Sequence, residues 1–307
     1  MRAITYSRYG GADVLELSEL PTPKVGPDTV LVRVKATSVN PVDWKVREGY
    51  LDAVMDATFP VVPGWDVAGV VEQVGLDTPE LSVGDEVFGY VRKDVVSGGT
   101  TAELVAAPVR TLARKPAAWT WEQAAGAPLA GLTALQTIDR AGVASGQTVL
   151  VHAAAGGVGS MAVQIAVARG ARVIGTASER NHEYLRSLGA EPVTYGEGLS
   201  GRVRALAPEG VDVVLDYIGG EALATTPDVL RDGGTVASVV DAAARDELGG
   251  HYVWVRPDVE GLTELARLAD AGQLTVDVAE VHDLADAAKA HEASRTGHVR
   301  GKVVITV

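Results

Sequence analysis

Between Thr29 and Ala36 apolar and polar residues alternate, Val67 to Val74 and Glu86 to Val91 form further apolar runs, and breakers stand at Pro21, Pro23, Gly26-Pro27, Pro60, Pro63-Gly64, Gly84 and Gly98-Gly99. Alternation with period two, bounded by such residues, predicts short strands in a turn-rich β unit. The texture changes near Ala117. Thr120-Trp121-Glu122-Gln123 has the form of a capping box, and Ala-rich helical sequence follows through Ala141. Strands are then expected at Thr148 to His152, Ala171 to Ala177, Val211 to Asp216 and Gly234 to Val240, with helices at Val158 to Arg169, Asn181 to Leu188 and Ala222 to Leu230 between them. Such alternation predicts an α/β unit with a doubly wound parallel sheet. The tail adds a strand at Tyr252 to Val255, helices near Val259 to Ala271 and Leu284 to Ala293, and a closing strand at Lys302 to Val307 expected to return to the first unit.

One stretch fixes what the second unit is for. Residues 152 to 166 read HAAAGGVGSMAVQIA, apolar enough to raise the question of a membrane span. Gly156, Gly157 and Gly159 answer it, because they cluster where a strand meets a helix and the backbone must turn sharply. Ala154-Ala155-Gly156-Gly157-Val158-Gly159 keeps the G-x-G-x-x-G spacing with Ala154 in the first glycine's place. Gly156 admits a pyrophosphate to the backbone, Gly159 lets the helix lie on the sheet, and free amides attract the anion. A glycine-rich turn in an α/β fold without nucleotide is the plain alternative. The second strand ends Gly175-Thr176-Ala177-Ser178, with Arg180 beyond, where an NAD site carries an acid. A hydroxyl and a guanidinium suit a 2′-phosphate, so NADPH is expected over NADH. Glu179 either binds ribose hydroxyls or belongs only to the helix entry.

Composition removes several other chemistries. A chain of 307 residues, 47% apolar and 22% charged, has room for two cores, and its net charge of −13 argues against general affinity for nucleic acid or an anionic membrane. It has no cysteine, which excludes disulfides, thiolate metal sites and a cysteine nucleophile. Met1-Arg2-Ala3-Ile4-Thr5 runs straight into a strand without a leader pattern, so the expected compartment is the cytoplasm. None of His152, His182, His251, His282, His291 and His298 falls in a metal spacing, and His152 is expected to be half-buried with its hydrogen bonds satisfied.

Seven ordered motifs carry a resemblance to a known family: Asn40-Pro41-Val42-Asp43, Pro63 to Gly69, Val83-Gly84-Asp85-Glu86-Val87, Gly131-Leu132-Thr133-Ala134, Ala154 to Gly159, Val211 to Asp216, and Gly297 to Val303. Through them nearly the whole chain resembles the medium-chain dehydrogenase/reductase superfamily, in particular its zinc-free quinone oxidoreductases of the zeta-crystallin type. The resemblance implies a GroES-like catalytic domain over 1–115 and 257–307, a Rossmann-type dinucleotide-binding domain over 116–256, and a homodimer paired through the strand at Tyr252 to Val255. Relatives with catalytic zinc have cysteine and histidine where Asn40 and Trp65 stand. No metal is therefore expected, and hydride should pass to an acceptor that is already electrophilic, a quinone or a conjugated carbonyl.

The same resemblance names site residues. Asn40 and Asp43 are expected near the nicotinamide, Asp43 being otherwise a helix-cap carboxylate. Thr133 is expected beside them, or is an ordinary helix threonine. Tyr50 is a candidate donor to the developing oxyanion, or an amphipathic surface residue. Trp44 and Trp65 either shape the acceptor pocket or belong to the core. Ala155, Gly156, Gly157 and Val158 form the pyrophosphate loop, while Ser178, Arg180 and Tyr195 are expected at the 2′-phosphate and adenine end. Val239 and Val253 are expected to offer backbone groups, and Lys302 either touches the cofactor or is solvated. Two other functions share these motifs: an enoyl or alkenal double-bond reductase of a biosynthetic pathway, and a non-catalytic NADPH-binding protein.

Overall fold

The computed structural model describes residues 1–297 and 299–307, so that His298 of the closing motif lies outside the described residues. The chain divides into two compact units, Met1–Leu129 with Pro257–Val307, and Ala130–Arg256.

The first unit is built on a seven-stranded sheet in the order Val278–Asp283, Lys302–Thr306, Thr29–Val39, Asp66–Val74, Glu86–Tyr90, Leu112–Arg114, with Leu104–Pro108 also pairing with Thr29–Val39. Val30, Val32, Val34, Val67, Val71 and Val87 bury the face that their alternation anticipates. The closing strand does return here. It pairs antiparallel with Thr29–Val39 in the register Val303 to Val39, while Ala36 stands opposite Ala68 on the other side. Residues near 302, near 40 and near 66 therefore end up side by side. The first unit runs further than the change of texture near 115 implies, because helix Trp121–Gly126 buries Ala124, Ala125 and Gly126. A Cβ on Gly126 would lie 3.4 Å from the Lys302 stem, so this helix covers the closing strand.

The second unit is a six-stranded parallel sheet in the order Ala190–Val193, Arg172–Thr176, Thr148–Val151, Val211–Asp216, Leu230–Ser238, His251–Tyr252. This is the doubly wound sheet that the alternation of elements predicts. Ala190–Val193 is an additional edge strand that Pro192 hides from a propensity reading. The helix expected over Ala222 to Leu230 is two short ones, Glu221–Ala224 and Thr226–Val229, with Pro227 restarting the second near its N-terminus. The strand expected at Tyr252 to Val255 is shorter and earlier, His251–Tyr252. Among the described residues no helix is long and apolar enough to cross a membrane.

Candidate active site

Helix Pro41–Arg47 starts at Asn40, whose extended backbone (φ −113°, ψ 156°) and following Pro41 are what a helix entry requires. Asp43, three residues on, accepts a hydrogen bond from the Asn40 backbone N–H at 2.7 Å. The Asn40 side chain is only 2% exposed in the residue as a whole, and both of its polar ends are engaged. Its Nδ2 donates to Asp66 Oδ2 at 2.8 Å, and its Oδ1 accepts from Lys302 Nζ. Asp66 also accepts from Ser38 Oγ at 2.7 Å and from the Leu129 N–H at 2.8 Å, and the Lys302 ammonium stands 3.9 Å from it. Strand register accounts for the assembly, since it sets Ser38 and Asn40 between Asp66 on one flank and Lys302 on the other.

The charges of this cluster are strongly perturbed. Burial pushes the Asp66 carboxyl upward, against the Lys302 ammonium and the Asn40 and Ser38 donors. Burial lowers Lys302, against the attraction of Asp66 and Asp43. Asp43 is pushed up to about 7, chiefly by burial, with the Asn40 N–H acting the other way. Asp43 therefore exchanges its proton near neutrality. Together with Tyr6, Trp65 and Lys93 it lines a narrow cleft with about 10 Å³ of water-accessible space. Trp65 is buried with its ring edge-on to Tyr90, and Trp44 meets Tyr50 in the same manner at 6.5 Å.

In the second unit the site is made of backbone. The loop after strand Thr148–Val151 is tied to the end of the next strand, the Ala153 N–H to Thr176 Oγ1 and the Ala154 N–H to the Thr176 carbonyl, both at 3.0 Å. Ala153 takes a left-handed φ of 53°, an uncommon conformation for a residue with a Cβ. Gly156 then caps helix Gly157–Ala168 without a side-chain bond, so the first amides of that helix point toward whatever anion the loop receives. A Cβ on Gly159 would lie 2.2 Å from the Ala153 carbonyl oxygen, so only glycine allows the helix this near the loop. The loop thus fits a dinucleotide pyrophosphate, with Ala155, Gly156, Gly157 and Val158 as its expected partners.

The other second-unit residues lie along the carboxyl edge of the sheet. Thr176 and Val193 are paired, which sets Ser178 and Tyr195 two residues beyond partners on adjacent strands. Arg180 and Tyr195 are exposed, and Ser178 is half-buried. The Val239 N–H donates to the Asp216 carbonyl at 3.3 Å, and buried Val253 donates to the Ser238 carbonyl at 2.9 Å. Thr133 is buried in helix Pro128–Ala141, its carbonyl accepting from Thr137 Oγ1 at 2.6 Å.

Three expectations need correction. His152 is fully buried rather than half-buried, and neither ring nitrogen has a hydrogen-bond partner. Burial lowers it to about 4 against the pull of Asp216, so it is neutral at ordinary pH. Lys302 is not solvated, because the closing strand carries it inside the first unit onto Asn40. The reading of Asn40 from its motif also missed its partners. Asp66 and, in the second unit, Asp216 are fully buried carboxylates, and Asp216 binds the Gly219 N–H at 2.9 Å and Ser238 Oγ at 2.6 Å. The available signal was a lone acid inside an apolar run, as in Trp65-Asp66-Val67-Ala68 and Val213-Val214-Leu215-Asp216.

A parallel sheet with a glycine loop at its carboxyl edge, and a β unit holding a buried polar cluster, define an oxidoreductase of the dinucleotide-binding class. Residues 26–117 match the alcohol dehydrogenase GroES-like domain and residues 188–305 the zinc-binding dehydrogenase family. The chain is 37% identical to the NADPH-dependent alkenal/one oxidoreductase, chloroplastic, of Arabidopsis thaliana, over 99% of this chain and 79% of that protein. It is 36% identical to the 2-methylene-furan-3-one reductase of Solanum lycopersicum, again over 99% of this chain and 79% of that one. The solved structure of the quinone oxidoreductase from Coxiella burnetii superposes with a TM-score of 0.88 at 34% identity, covering 100% of this chain and 99% of that one. The chain belongs to the medium-chain dehydrogenase/reductase family, in the group of quinone and alkenal/one oxidoreductases. The zinc in one family description meets a donor set that does not fit it. The chain has no cysteine, and neither Asn40 nor Trp65 can supply a thiolate or imidazole ligand. Among the described residues no group of three or more His, Asp or Glu is suited to a metal.

Proposed function

We propose that the chain is a zinc-independent NADPH-dependent reductase that delivers hydride to a quinone or another conjugated carbonyl. The observation that carries this reading is the loop from Ala153 to Gly159, with its left-handed Ala153, its glycine-capped helix and a Gly159 that has no room for a Cβ. Ala155, Gly156, Gly157 and Val158 hold the pyrophosphate, and Ser178, Arg180 and Tyr195 serve the 2′-phosphate and adenine end. Val239 and Val253 contribute through the backbone. Asn40, Asp43, Thr133 and Lys302 serve the nicotinamide end.

When bound, NADPH supplies the hydride. The chain's own residues orient the acceptor, keep water away and meet the negative charge that develops on its oxygen. One Asn40 Nδ2 hydrogen is spent on Asp66, and the second is available as a donor. The Asp43 carboxyl, at about 7, holds a proton that the reduced acceptor can take. Trp65 and Tyr6 stand beside Asp43 in the same narrow cleft. Tyr50 is the second candidate donor.

Reduction of an activated alkene is the reading next in line, and the names of the two plant relatives favour it. A homodimer is part of the proposal, since the six-stranded sheet ends on His251–Tyr252 and Trp254 beside it is exposed. So is a cytoplasmic setting. The test is oxidation of NADPH and of NADH with 1,4-benzoquinone, 9,10-phenanthrenequinone and a conjugated enone side by side. Quinone turnover with NADPH supports the first reading and a preference for the enone the second. No turnover with any acceptor despite tight NADPH binding overturns both.

A further inference from the structure

Asn40 is the meeting point of the first unit's buried polar groups, and how it is held has a consequence for the site. The terminal torsion of an asparagine is soft and close to two-fold, so an unconstrained amide presents either its oxygen or its nitrogen to a ligand. Here its surroundings allow one orientation. Lys302 on the Oδ1 side can only donate, and Asp66 on the Nδ2 side, when ionised, can only accept. With Lys302 and Asp66 charged as an ion pair, turning the amide over would set NH₂ against an ammonium and a carbonyl oxygen against a carboxylate. The backbone is fixed as well, through the Asn40 N–H to Asp43.

Lys302 is an expensive way to obtain this. It is 5% exposed, and the ammonium of a buried lysine loses its hydration for an ion pair that well-packed apolar residues could replace without loss of stability. Asp66 carries three other hydrogen bonds, from Ser38, Asn40 and Leu129, and is anchored without the lysine. What Lys302 alone supplies is the donor to Asn40 Oδ1.

We propose that Lys302 is a positioning residue: held between Asn40 and Asp66, it locks the Asn40 amide so that its second Nδ2 hydrogen always faces away from the cluster. The proposal rests on the reading of Asn40 as a residue of the reductive site. A locked donor lowers the cost of meeting charge as it develops on the acceptor, because no reorientation is needed at that moment.

The experiment is a pair of variants with two readouts. Lys302→Met alone leaves Asp66 buried without its counter-ion and is expected to lower the thermal midpoint. The charge-neutral double variant Lys302→Met with Asp66→Asn is expected to regain much of that loss, yet to keep kcat at least about tenfold below the parent while the acceptor KM changes little. Lys302→Arg, which keeps a cation and a donor, is expected to fold and to restore part of kcat. The second readout is the Asn40 side-chain amide in ¹⁵N-edited NMR, slow to exchange in the parent and in Lys302→Arg, and fast in the double variant. A double variant with parental kcat and parental amide protection overturns the proposal. Failure of the functional reading looks different: the parent then turns over no acceptor, while the amide exchange still follows Lys302.

Discussion

The two units solve the problem of building a site in opposite ways. In the second, the loop from Ala153 to Gly159 offers backbone amides, a glycine with no room for a side chain and one left-handed residue, and no ionisable side chain belongs to it. In the first, Asn40 is held by Asp43, Asp66 and Lys302, all buried, all ionisable, and brought in from strands and a helix far apart in sequence. The loop carries no side chain that titrates, and at Gly159 it has no room for a single added carbon. The side-chain site is buried and ionisable, so its stability and charge state move with pH.

The largest expected effect belongs to the side-chain site. Asp43 rises from an ordinary 3.8 to about 7 on folding, so the folded state holds the proton more tightly than the unfolded one. Its contribution to stability is therefore fully present below pH 3.8 and is lost as pH rises through 7, by about 4 kcal/mol over the window. Asp43→Asn keeps an oxygen to accept the Asn40 N–H and carries no charge. Chemical denaturation of this variant is expected to show a flatter pH dependence between these limits and greater stability than the parent above pH 7. A variant with the parental slope would show that Asp43 is solvated and ionised, and the contrast between the two units would fail on its pH side.

The backbone site is probed by a methyl group. In Gly159→Ala the new Cβ meets the Ala153 carbonyl oxygen at 2.2 Å, and backbone cannot swing away as a flexible side chain does. Relieving the clash moves the helix off the loop, and NADPH affinity is expected to fall by about 3 kcal/mol, more than a hundredfold, by isothermal titration. The loss should be the same at pH 6 and pH 8. A strong pH dependence would mean that a titrating side chain, not the amides, carries the phosphate.

The same contrast explains what could be read from the sequence. A backbone site leaves its mark in consecutive residues, since the conformation that Gly156 and Gly159 must adopt is written in their identity and spacing, and the flanking strand and helix follow from periodicity. A side-chain site assembled by strand register leaves no local mark. Lys302 looks like a solvated residue at the head of an apolar strand, and Asp66 like one letter of a glycine-containing motif, until Val303 is known to pair with Val39 and Ala36 with Ala68. Periodicity supplies strands but not their partners. Two of the elements that periodicity missed are of the same kind: Ala190–Val193 and Val278–Asp283 are short or charged edge strands whose identity comes from what they pair with.

Between the two extremes lies the expected 2′-phosphate end, where side chains follow a strand end directly. Ser178 and Tyr195 each lie two residues beyond the paired Thr176 and Val193, and exposed Arg180 follows Ser178. Changing Ser178→Ala together with Arg180→Glu is expected to weaken NADPH by about 2 kcal/mol and to spare NADH. Because Arg180 is exposed, the difference should shrink as salt is raised. Equal losses for both cofactors would place the damage in the loop, and Glu179 would become the residue that meets the ribose.

The smallest effect is expected at Tyr50, which tests whether the first unit's chemistry reaches its surface. Its side chain is 67% exposed and leans edge-on against Trp44, so its hydroxyl competes with water for any oxyanion it meets. Tyr50→Phe keeps the ring contact and removes only that donor, and kcat is expected to fall by about 1 kcal/mol, roughly fivefold, with KM unchanged. A rise in KM at constant kcat would assign Tyr50 to holding Trp44 and leave Asn40 as the donor. In that case every group meeting the developing charge is a buried one, and the division between a backbone site and a buried side-chain site becomes sharper.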